Sequence, residues 1–351
     1  MHTRLYLAAL FGSLLLASCS SDSETPSENS VQEAIHQQYD LSLSEELAVF
    51  APLPDQADNP DNPTEVNKSL LGQALYFDKR LSKDGNISCN SCHNLATGGV
   101  DNLPTSPGDA GENGDRNSPT VLNAALHFAQ FWDGRAKDVE EQAGMPILNP
   151  VEMAIPNEEF LVNRLKEIPD YQVMFSAAFP NDDDPITYTN LRLAIADFER
   201  QLLTPSRFDD YLKGDKSALT VQEKRGLQTF ISSNCTQCHT GVLLGGHKFE
   251  KFGVYGDYWK WTGSENQDPG LFEETQDSLD LYRFKVPSLR NITETGPYFH
   301  DGSVADLRMA VTIMAEAQLN RQLKPNEVED IVAFLGALSG EIPAWAQQPA
   351  P

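Results

Sequence analysis

The pentapeptide Cys89-Asn90-Ser91-Cys92-His93 has the form C-x-x-C-H, and the form returns at Cys235-Thr236-Gln237-Cys238-His239. C-x-x-C-H is the attachment motif of covalently bound c-type haem. The two thiols add across the haem vinyl groups, and the adjacent imidazole binds the iron. Two copies therefore predict two haems, with His93 and His239 as the proximal ligands.

Two other uses of paired cysteines fit the motifs less well. A zinc ribbon also uses C-x-x-C, but it does not require histidine directly after the second cysteine. A thioredoxin-like dithiol would need a βαβ context that the sequence lacks. The remaining cysteine, Cys19, leaves no spare pair for a structural disulfide.

Length and charge limit the classes of function. The 351 residues, 40% of them apolar, suffice for two ordinary domains. The net charge of −25 argues against nucleic-acid binding, which needs clustered Lys and Arg. An acidic surface serves either solvation or the steering of a basic redox partner, and charge alone does not choose between them.

The N-terminus predicts export. Arg4 precedes an apolar run, residues 5–17, that is too short to span a bilayer and is typical of a secretory signal peptide. Leu16-Ala17-Ser18-Cys19 resembles a bacterial lipobox, which implies cleavage before Cys19 and lipid attachment there. We therefore expect a periplasmic protein that touches the membrane through its N-terminal lipid only. An ordinary signal peptide with an accidental cysteine is the alternative.

Apolar spacing predicts a mainly α protein with two cytochrome c-like haem domains and long connecting loops. Helical spacing covers residues 66–77, 120–131, 158–168 and 188–203. A capping box at Thr220 and Glu223 starts a helix leading to Cys235, and a last helix lies within residues 325–340. The predicted organisation is a signal peptide (1–18), a tether and extended segment (19–62), a first cytochrome c-like domain (63–205), a second cytochrome c-like domain (206–340) and a tail (341–351).

Several further motifs, in order, resemble those of the bacterial di-haem cytochrome c peroxidases. They are Gly98-Gly99-Val100-Asp101-Asn102, Arg116-Asn117-Ser118-Pro119-Thr120-Val121, Gln130-Phe131-Trp132-Asp133-Gly134-Arg135, Pro150-Val151-Glu152-Met153, Arg207-Phe208-Asp209, Lys285-Val286-Pro287-Ser288-Leu289-Arg290-Asn291 and Pro297-Tyr298-Phe299-His300. The resemblance covers nearly everything from Leu70 to Gly340. It implies reduction of hydrogen peroxide with electrons from a small cytochrome c or a cupredoxin, by a family that commonly forms homodimers.

The resemblance also implies unequal haems. The second haem would have His239 and Met314 as ligands and receive electrons, because a thioether stabilises ferrous iron. Spacing alone leaves Met309 as plausible as Met314. The first haem would meet peroxide, with Glu152 transferring protons and Gln142 as a nearby polar residue. Trp132 would lie between the haems.

The resemblance further implies a calcium ion between the domains. Its ligands would be the side chain of Asn117 and the carbonyl groups of Thr295 and Pro297. Oxygen ligands from two domains suit a hard cation that fixes their relative orientation.

One stretch departs from the family. Many relatives carry a Gly-His pair whose histidine caps the peroxidatic iron in the oxidised state, where this chain has Gly108-Asp109. A carboxylate replaces imidazole poorly as a ligand of low-spin haem. We therefore expect a first haem that is open without reductive activation. The alternative is a cap supplied by His127.

Two other functions stay open. A MauG-like enzyme would use the same haems to oxidise a protein substrate, but that branch has tyrosine in place of Met314. A non-catalytic electron carrier would gain from two saturated irons, and both Glu152 and the missing distal histidine argue against it.

Overall fold

The computed structural model describes residues 28–43 and 45–349, and within them the protein is mainly helical. The predicted signal peptide and Cys19 lie outside these residues. Helices of six or more residues are α1 (Glu28–Leu43), α2 (Val66–Phe77), α3 (Glu158–Lys166), α4 (Pro169–Ala178), α5 (Tyr188–Glu199), α6 (Arg207–Leu212), α7 (Val221–Ser232), α8 (Leu307–Leu319) and α9 (Pro325–Gly336). Single helical turns cover Cys89–Cys92, Val139–Gln142, Met145–Leu148, Trp259–Thr262 and Phe272–Thr275. Strands β1 (Phe249–Lys251) and β2 (Arg283–Lys285) pair antiparallel.

Most of the helices follow the apolar spacing of the sequence. Helix α2 has the predicted bounds, and α7 begins with the predicted capping box, in which Thr220 and Glu223 bond each other's backbone. In α5 the predicted apolar face is buried, although the helix ends at Glu199 and not near Leu203. No helix in the described part of the chain is long and apolar enough to cross a membrane.

The helix predicted over residues 120–131 is wrong. Only one 3-10 turn, Ala124–Leu126, forms there. Asn123 and Phe131 have φ of 58° and 64°, outside the range of a right-handed helix. Val121 and Leu122 are nevertheless buried, so the apolar spacing reflects the burial of an irregular segment.

Helix α1 lies in the stretch predicted as a tether and extended segment. It packs against α7, and Asp40 accepts a hydrogen bond from the Tyr211 hydroxyl at 2.8 Å. The Asp40 carboxylate also pairs at 2.7 Å with Lys224, whose side chain is fully buried. Local sequence patterns do not predict these contacts, because Asp40 is far along the chain from Tyr211 and Lys224.

Two helix pairs cross in the same way. Helices α2 and α5 meet at Gly72, where an added Cβ would lie 1.9 Å from the Ala194 carbonyl oxygen. Helices α7 and α9 meet at Gly226, where the corresponding distance to the Asp330 carbonyl oxygen is 1.8 Å. Glycine is required at both crossings because the backbones touch. One hydrophobic cluster surrounds α2 with α3, α4 and α5, and another surrounds α6, α7 and α9.

The segment after α9 returns to the first of these helix pairs. The Trp345 ring meets the Phe198 ring edge-on, with centroids 5.9 Å apart, and Ala346 is fully buried. The Gln73 amide donates to the carbonyl oxygens of Trp345 and Gln348, both at 2.7 Å. The predicted tail is therefore packed against α2 and α5.

Candidate active site

The first C-x-x-C-H motif forms a helical turn that fixes its histidine. Ser88 and Ser91 cap the turn reciprocally, and His93 follows it directly. The His93 Nδ1 lies 2.9 Å from the Pro119 carbonyl oxygen, to which it donates as N–H. Burial lowers the pKa of His93, which favours the neutral ring. Nε2 is therefore left with a lone pair for a metal.

The second motif fixes its histidine in the same way. The His239 Nδ1 lies 2.8 Å from the Leu244 carbonyl oxygen. Burial lowers the pKa of His239 to about 4, so this ring is also neutral near pH 7. None of the four motif thiols is in a disulfide. Both motifs thus present two thiols and one oriented imidazole.

A large, mainly apolar cavity, called here the second cavity, opens beside the second motif. Its wall contains Cys235, Cys238 and His239, and Met314 of α8 lies in the same wall. Met309, the other methionine of α8, is 54% exposed and does not line the cavity. Aromatic side chains complete the wall, among them Phe230, Phe252, Phe284, Tyr298 and Phe299. Two thiols, a neutral imidazole and a thioether around an apolar space fit a c-type haem.

Glu152 lies in a separate cavity, called here the Glu152 cavity. Its wall is formed by Phe131, Arg135, Met145, Pro146, Leu148 and Asn149. The Asn149 side-chain amide donates to the Glu152 Oε1 at 2.7 Å. Burial raises the pKa of Glu152, and the charge of Arg135 and the bond from Asn149 oppose that rise.

Hydrogen bonds connect the backbone of Glu152 to the chain just before the first haem motif, because the Asp109 N–H donates to the Glu152 carbonyl oxygen and the Asp109 carboxylate accepts from the Asn86 N–H. Burial raises the pKa of the Cys92 thiol to about 11, and the negative charge of Glu152 adds to the rise. The structure therefore brings a half-buried, titratable carboxylate near the motif that presents His93. This is the arrangement that proton transfer beside a haem needs.

Sequence reasoning did not single out Phe131, Arg135 or Asn149 as site residues. The Arg135 guanidinium lies 3.5 Å from the centroid of the Phe131 ring and donates to Asp133 at 2.9 Å. Phe131 and Arg135 belong to a motif quoted above, and Asn149 precedes Glu152 by three residues. Their residue types alone did not indicate that they share a cavity.

Two predicted residues lie elsewhere. Gln142 ends the single turn Val139–Gln142, is half-buried, and does not line the Glu152 cavity. His127 lies in the wall of the second cavity, with Nδ1 2.9 Å from the Lys285 Nζ. The alternative in which His127 caps the first haem therefore has no support in the geometry.

Asp109 is directed toward the neighbouring loop. Its carboxylate accepts hydrogen bonds from the Ser82 hydroxyl at 2.8 Å and from the backbone N–H groups of Asp84 and Asn86 at 2.7 and 3.1 Å. Burial alone would raise the pKa of Asp109, but these bonds outweigh it and lower the pKa. The Asp109 N–H donates to the Glu152 carbonyl oxygen at 2.7 Å. Asp109 thus holds the backbone turn that carries Glu152.

Trp132 lies in the wall of the second cavity and is held by two backbone segments. Its indole N–H donates to the Asn117 carbonyl oxygen at 2.9 Å, and its own carbonyl accepts from the Lys285 N–H at 2.8 Å. Its ring meets the buried His300 ring edge-on, with centroids 6.4 Å apart. The His300 Nε2 is buried without a hydrogen-bond partner, 4.0 Å from an Asp268 carboxylate oxygen.

The three residues predicted to bind calcium share one cavity wall. Asn117, Thr295 and Pro297 all line the second cavity. The Asn117 side-chain amide donates to the Leu103 carbonyl oxygen at 2.9 Å, which leaves its own amide oxygen for another partner. Within residues 28–43 and 45–349, no group of three or more His, Cys, Asp or Glu side chains is placed to hold a metal ion.

Comparisons with known proteins agree with this chemistry. Residues 66–217 match the family described as di-haem cytochrome c peroxidase. The chain is 46% identical over 310 residues to cytochrome c551 peroxidase of Pseudomonas aeruginosa, covering 87% of this chain and 88% of that protein. It is 34% identical over 301 residues to the methylamine utilization protein MauG of Methylorubrum extorquens, and the match covers 82% of this chain and 83% of that protein. A solved MauG-like protein associated with microbial copper homeostasis superposes with a TM-score of 0.75 at 30% identity, covering 85% of this chain and 97% of that one.

Proposed function

The chain belongs to the di-haem cytochrome c peroxidase family, and from that membership we propose that it reduces hydrogen peroxide to water. Two electrons would come, one at a time, from a small c-type cytochrome or a cupredoxin. The observation that carries the proposal is Glu152, a half-buried carboxylate in a cavity close to the first haem motif. A pure electron carrier has no use for such a group.

We infer that the two motifs hold two covalently attached haems. Cys89 and Cys92 would attach the first, with His93 on its iron, and Cys235 and Cys238 would attach the second, with His239. Bound haem supplies the iron chemistry that stores electrons and activates peroxide. The protein supplies the ligands, the proton transfer and the exclusion of solvent.

Glu152 would move the proton that peroxide cleavage requires. An ionised Glu152 takes a proton from one oxygen of the peroxide and returns it to the departing oxygen, which leaves as water. The Asn149 amide orients the carboxylate, and the Arg135 charge opposes the rise in its pKa that burial causes. The net reaction consumes one peroxide, two electrons and two protons and yields two waters.

We infer that electrons enter at the second haem. His239 and Met314 would be its axial ligands, since both line the second cavity and a thioether favours the ferrous state. Trp132 would carry electrons toward the first haem, because it lines the second cavity and its neighbour Phe131 lines the Glu152 cavity. A calcium ion at Asn117, Thr295 and Pro297 would hold this region together.

We further infer that no side chain from position 109 closes the first haem. To approach an iron, the Asp109 carboxylate would have to give up three hydrogen bonds to the loop of residues 82–86. Breaking charge-assisted bonds of this kind costs about 1.5–3 kcal/mol each. The oxidised protein would therefore accept peroxide without prior reduction. It would act in the periplasm, anchored by lipid at Cys19.

Steady-state peroxide consumption by the holoprotein tests the function, with a reduced small cytochrome c or cupredoxin as the donor. We expect oxidation of two donor molecules for each peroxide consumed. No turnover with any donor, together with oxidation of a protein partner, would favour the MauG-like alternative. The presence of Met314 argues against that alternative, and so does the lower identity to MauG, 34% against 46% to the peroxidase.

A further inference from the structure

The wall of the second cavity contains a single cation. Among the described residues that line it, Lys285 at the end of β2 is the only lysine or arginine. Its side chain is buried, with 5% of the residue exposed. Most of the surrounding wall is aromatic or aliphatic, so the ammonium group has little solvent to stabilise its charge.

Lys285 has no carboxylate partner. No Asp or Glu of the described residues lies within 4.0 Å of its Nζ, and the one acid in the cavity wall, Glu250, pairs with Lys248 at 3.2 Å. Within the described part of the chain, the single hydrogen-bond partner of the Lys285 Nζ is the His127 Nδ1, at 2.9 Å. Burial and the neighbouring Lys285 charge hold the pKa of His127 well below its ordinary value, so the imidazole is a neutral acceptor. One of three ammonium donors is thus used, and the negative charge nearest in effect among the described residues is Asp133, which pairs with Arg116 and Arg135 and acts on Lys285 from beyond salt-bridge distance.

A buried ammonium without a counter-ion is costly, by several kcal/mol for a group this size. Burial accordingly lowers the pKa of Lys285 to about 7. An anion in the cavity would remove this cost and hold the proton on the amine. The proposed occupant of the cavity brings such an anion, because haem carries two propionate carboxylates.

We propose that Lys285, oriented by His127, binds a propionate of the second haem and raises the reduction potential of that haem. The inference rests on the proposed function, since it assumes a haem in the second cavity. A fixed positive charge stabilises the ferrous state relative to the ferric state, and it acts more strongly in an apolar wall than in water. Lys285 would thus act with Met314 to make this haem the entry point for electrons.

The backbone holds the pair rigidly. The Lys285 N–H donates to the Trp132 carbonyl oxygen at 2.8 Å, and Lys285 pairs with Phe249 across the two-stranded sheet. His127 packs against Gly246, where an added Cβ would lie 3.2 Å from the imidazole ring. A charged group held in this way loses little entropy when it binds its ligand.

The test is the midpoint potential of the second haem in the holoprotein, measured by spectroelectrochemical titration of Lys285→Met. We expect the ferrous-to-ferric ratio at a given applied potential to fall about tenfold, a downward shift of about 59 mV. Lys285→Arg should keep most of the wild-type potential. The matched control Lys260→Met removes the same charge from an exposed pair with Asp257 and should leave the potential unchanged. Resonance Raman bands of the propionates should shift in Lys285→Met alone.

A potential in Lys285→Met equal to that of the Lys260→Met control would overturn the inference, as would a shift confined to the first haem. Haem content per protein chain separates these results from a folding defect. If Lys285→Met does not take up haem, Lys285→Gln serves the same comparison. Peroxide turnover is measured separately, so a failed peroxidase assay with an intact shift would reject the proposed function and leave this inference standing.

Discussion

At the residue scale, Glu152 carries the proposed chemistry. Replacing it with glutamine keeps the size of the side chain but removes the proton acceptor. We expect peroxide turnover by Glu152→Gln to fall by about 10²- to 10⁴-fold, the usual contribution of general acid–base catalysis. Glu274→Gln, which changes an exposed glutamate, is the control and should turn over like the wild type. Wild-type turnover by Glu152→Gln would remove Glu152 from the mechanism.

Arg135 should set the pH range in which Glu152 works. Glu152 must be ionised to accept a proton, so kcat/KM should rise with pH through its pKa. The Arg135 charge lowers that pKa against the effect of burial. Arg135→Gln should therefore move the acidic limb of the kcat/KM profile to higher pH, and Arg135→Lys should move it less. An unmoved acidic limb in Arg135→Gln would contradict the assignment.

Asp109 should contribute stability that depends on pH. Its hydrogen bonds hold its pKa below the ordinary value, so its contribution is present above about pH 4 and is lost as pH falls through the folded-state pKa. Asp109→Asn should lower the free energy of unfolding by about 1–3 kcal/mol at pH 7. The difference from wild type should shrink in acid. Denaturant unfolding at pH 7 and pH 3 measures both, and a difference that stays constant would reject this role.

The candidate site residues that the sequence singles out are those that lie within contiguous motifs. Cys89, His93 and Glu152 stand beside distinctive neighbours in the sequence. The pairing of Lys285 with His127 could not be foreseen, because it joins positions far apart through the packing of a short sheet against an irregular segment. The hydrogen bonds between Asp109 and residues 82–86 could not be predicted either, because they join two loops that are separated along the chain.

At the element scale, Gly226 at the crossing of α7 and α9 can be compared with Gly336, a glycine of α9 that has free space around it. Gly226→Ala should destabilise the protein by about 1–3 kcal/mol, because the new methyl group meets the Asp330 carbonyl of α9 and the helices must move apart. Gly336→Ala lies in α9, where an added Cβ meets nothing within 4 Å. It should be neutral or stabilise by up to about 1 kcal/mol. Equal unfolding free energies for the two variants would contradict the tight crossing.

Helices were predicted correctly where the apolar residues recur at helical spacing on a single buried face. Helices α2, α5 and α7 each bury a stripe and begin or end at recognisable residues such as Thr220. The prediction failed over residues 120–131, where the chain buries side chains on several sides while two residues adopt positive φ. Periodicity cannot separate a helix from an irregular segment that passes through the interior.

At the scale of the whole molecule, Arg116 joins regions far apart in the chain. Its guanidinium bonds Asp133, and it bonds Asp268 and Glu273 at 2.6 Å each. Asp133 and Asp268 are buried, so removing Arg116 would leave Asp268 without a guanidinium partner and Asp133 with Arg135 alone. Arg116→Met should destabilise the protein by about 3–5 kcal/mol.

Thermal unfolding of the holoprotein measures this effect. Arg308→Met is the matched control, since it breaks an exposed pair with Glu329 that is worth about 0–1 kcal/mol. A Tm for Arg116→Met no lower than that of Arg308→Met would mean that the buried network contributes little.

The central claim is that the oxidised protein already has one haem open to peroxide, because the Asp109 carboxylate is hydrogen-bonded to the neighbouring loop of residues 82–86. Low-temperature EPR of the fully oxidised holoprotein tests it most directly. We predict one high-spin ferric signal from the first haem and one low-spin signal from the second. Two low-spin signals, with the high-spin signal appearing only after partial reduction, would contradict it.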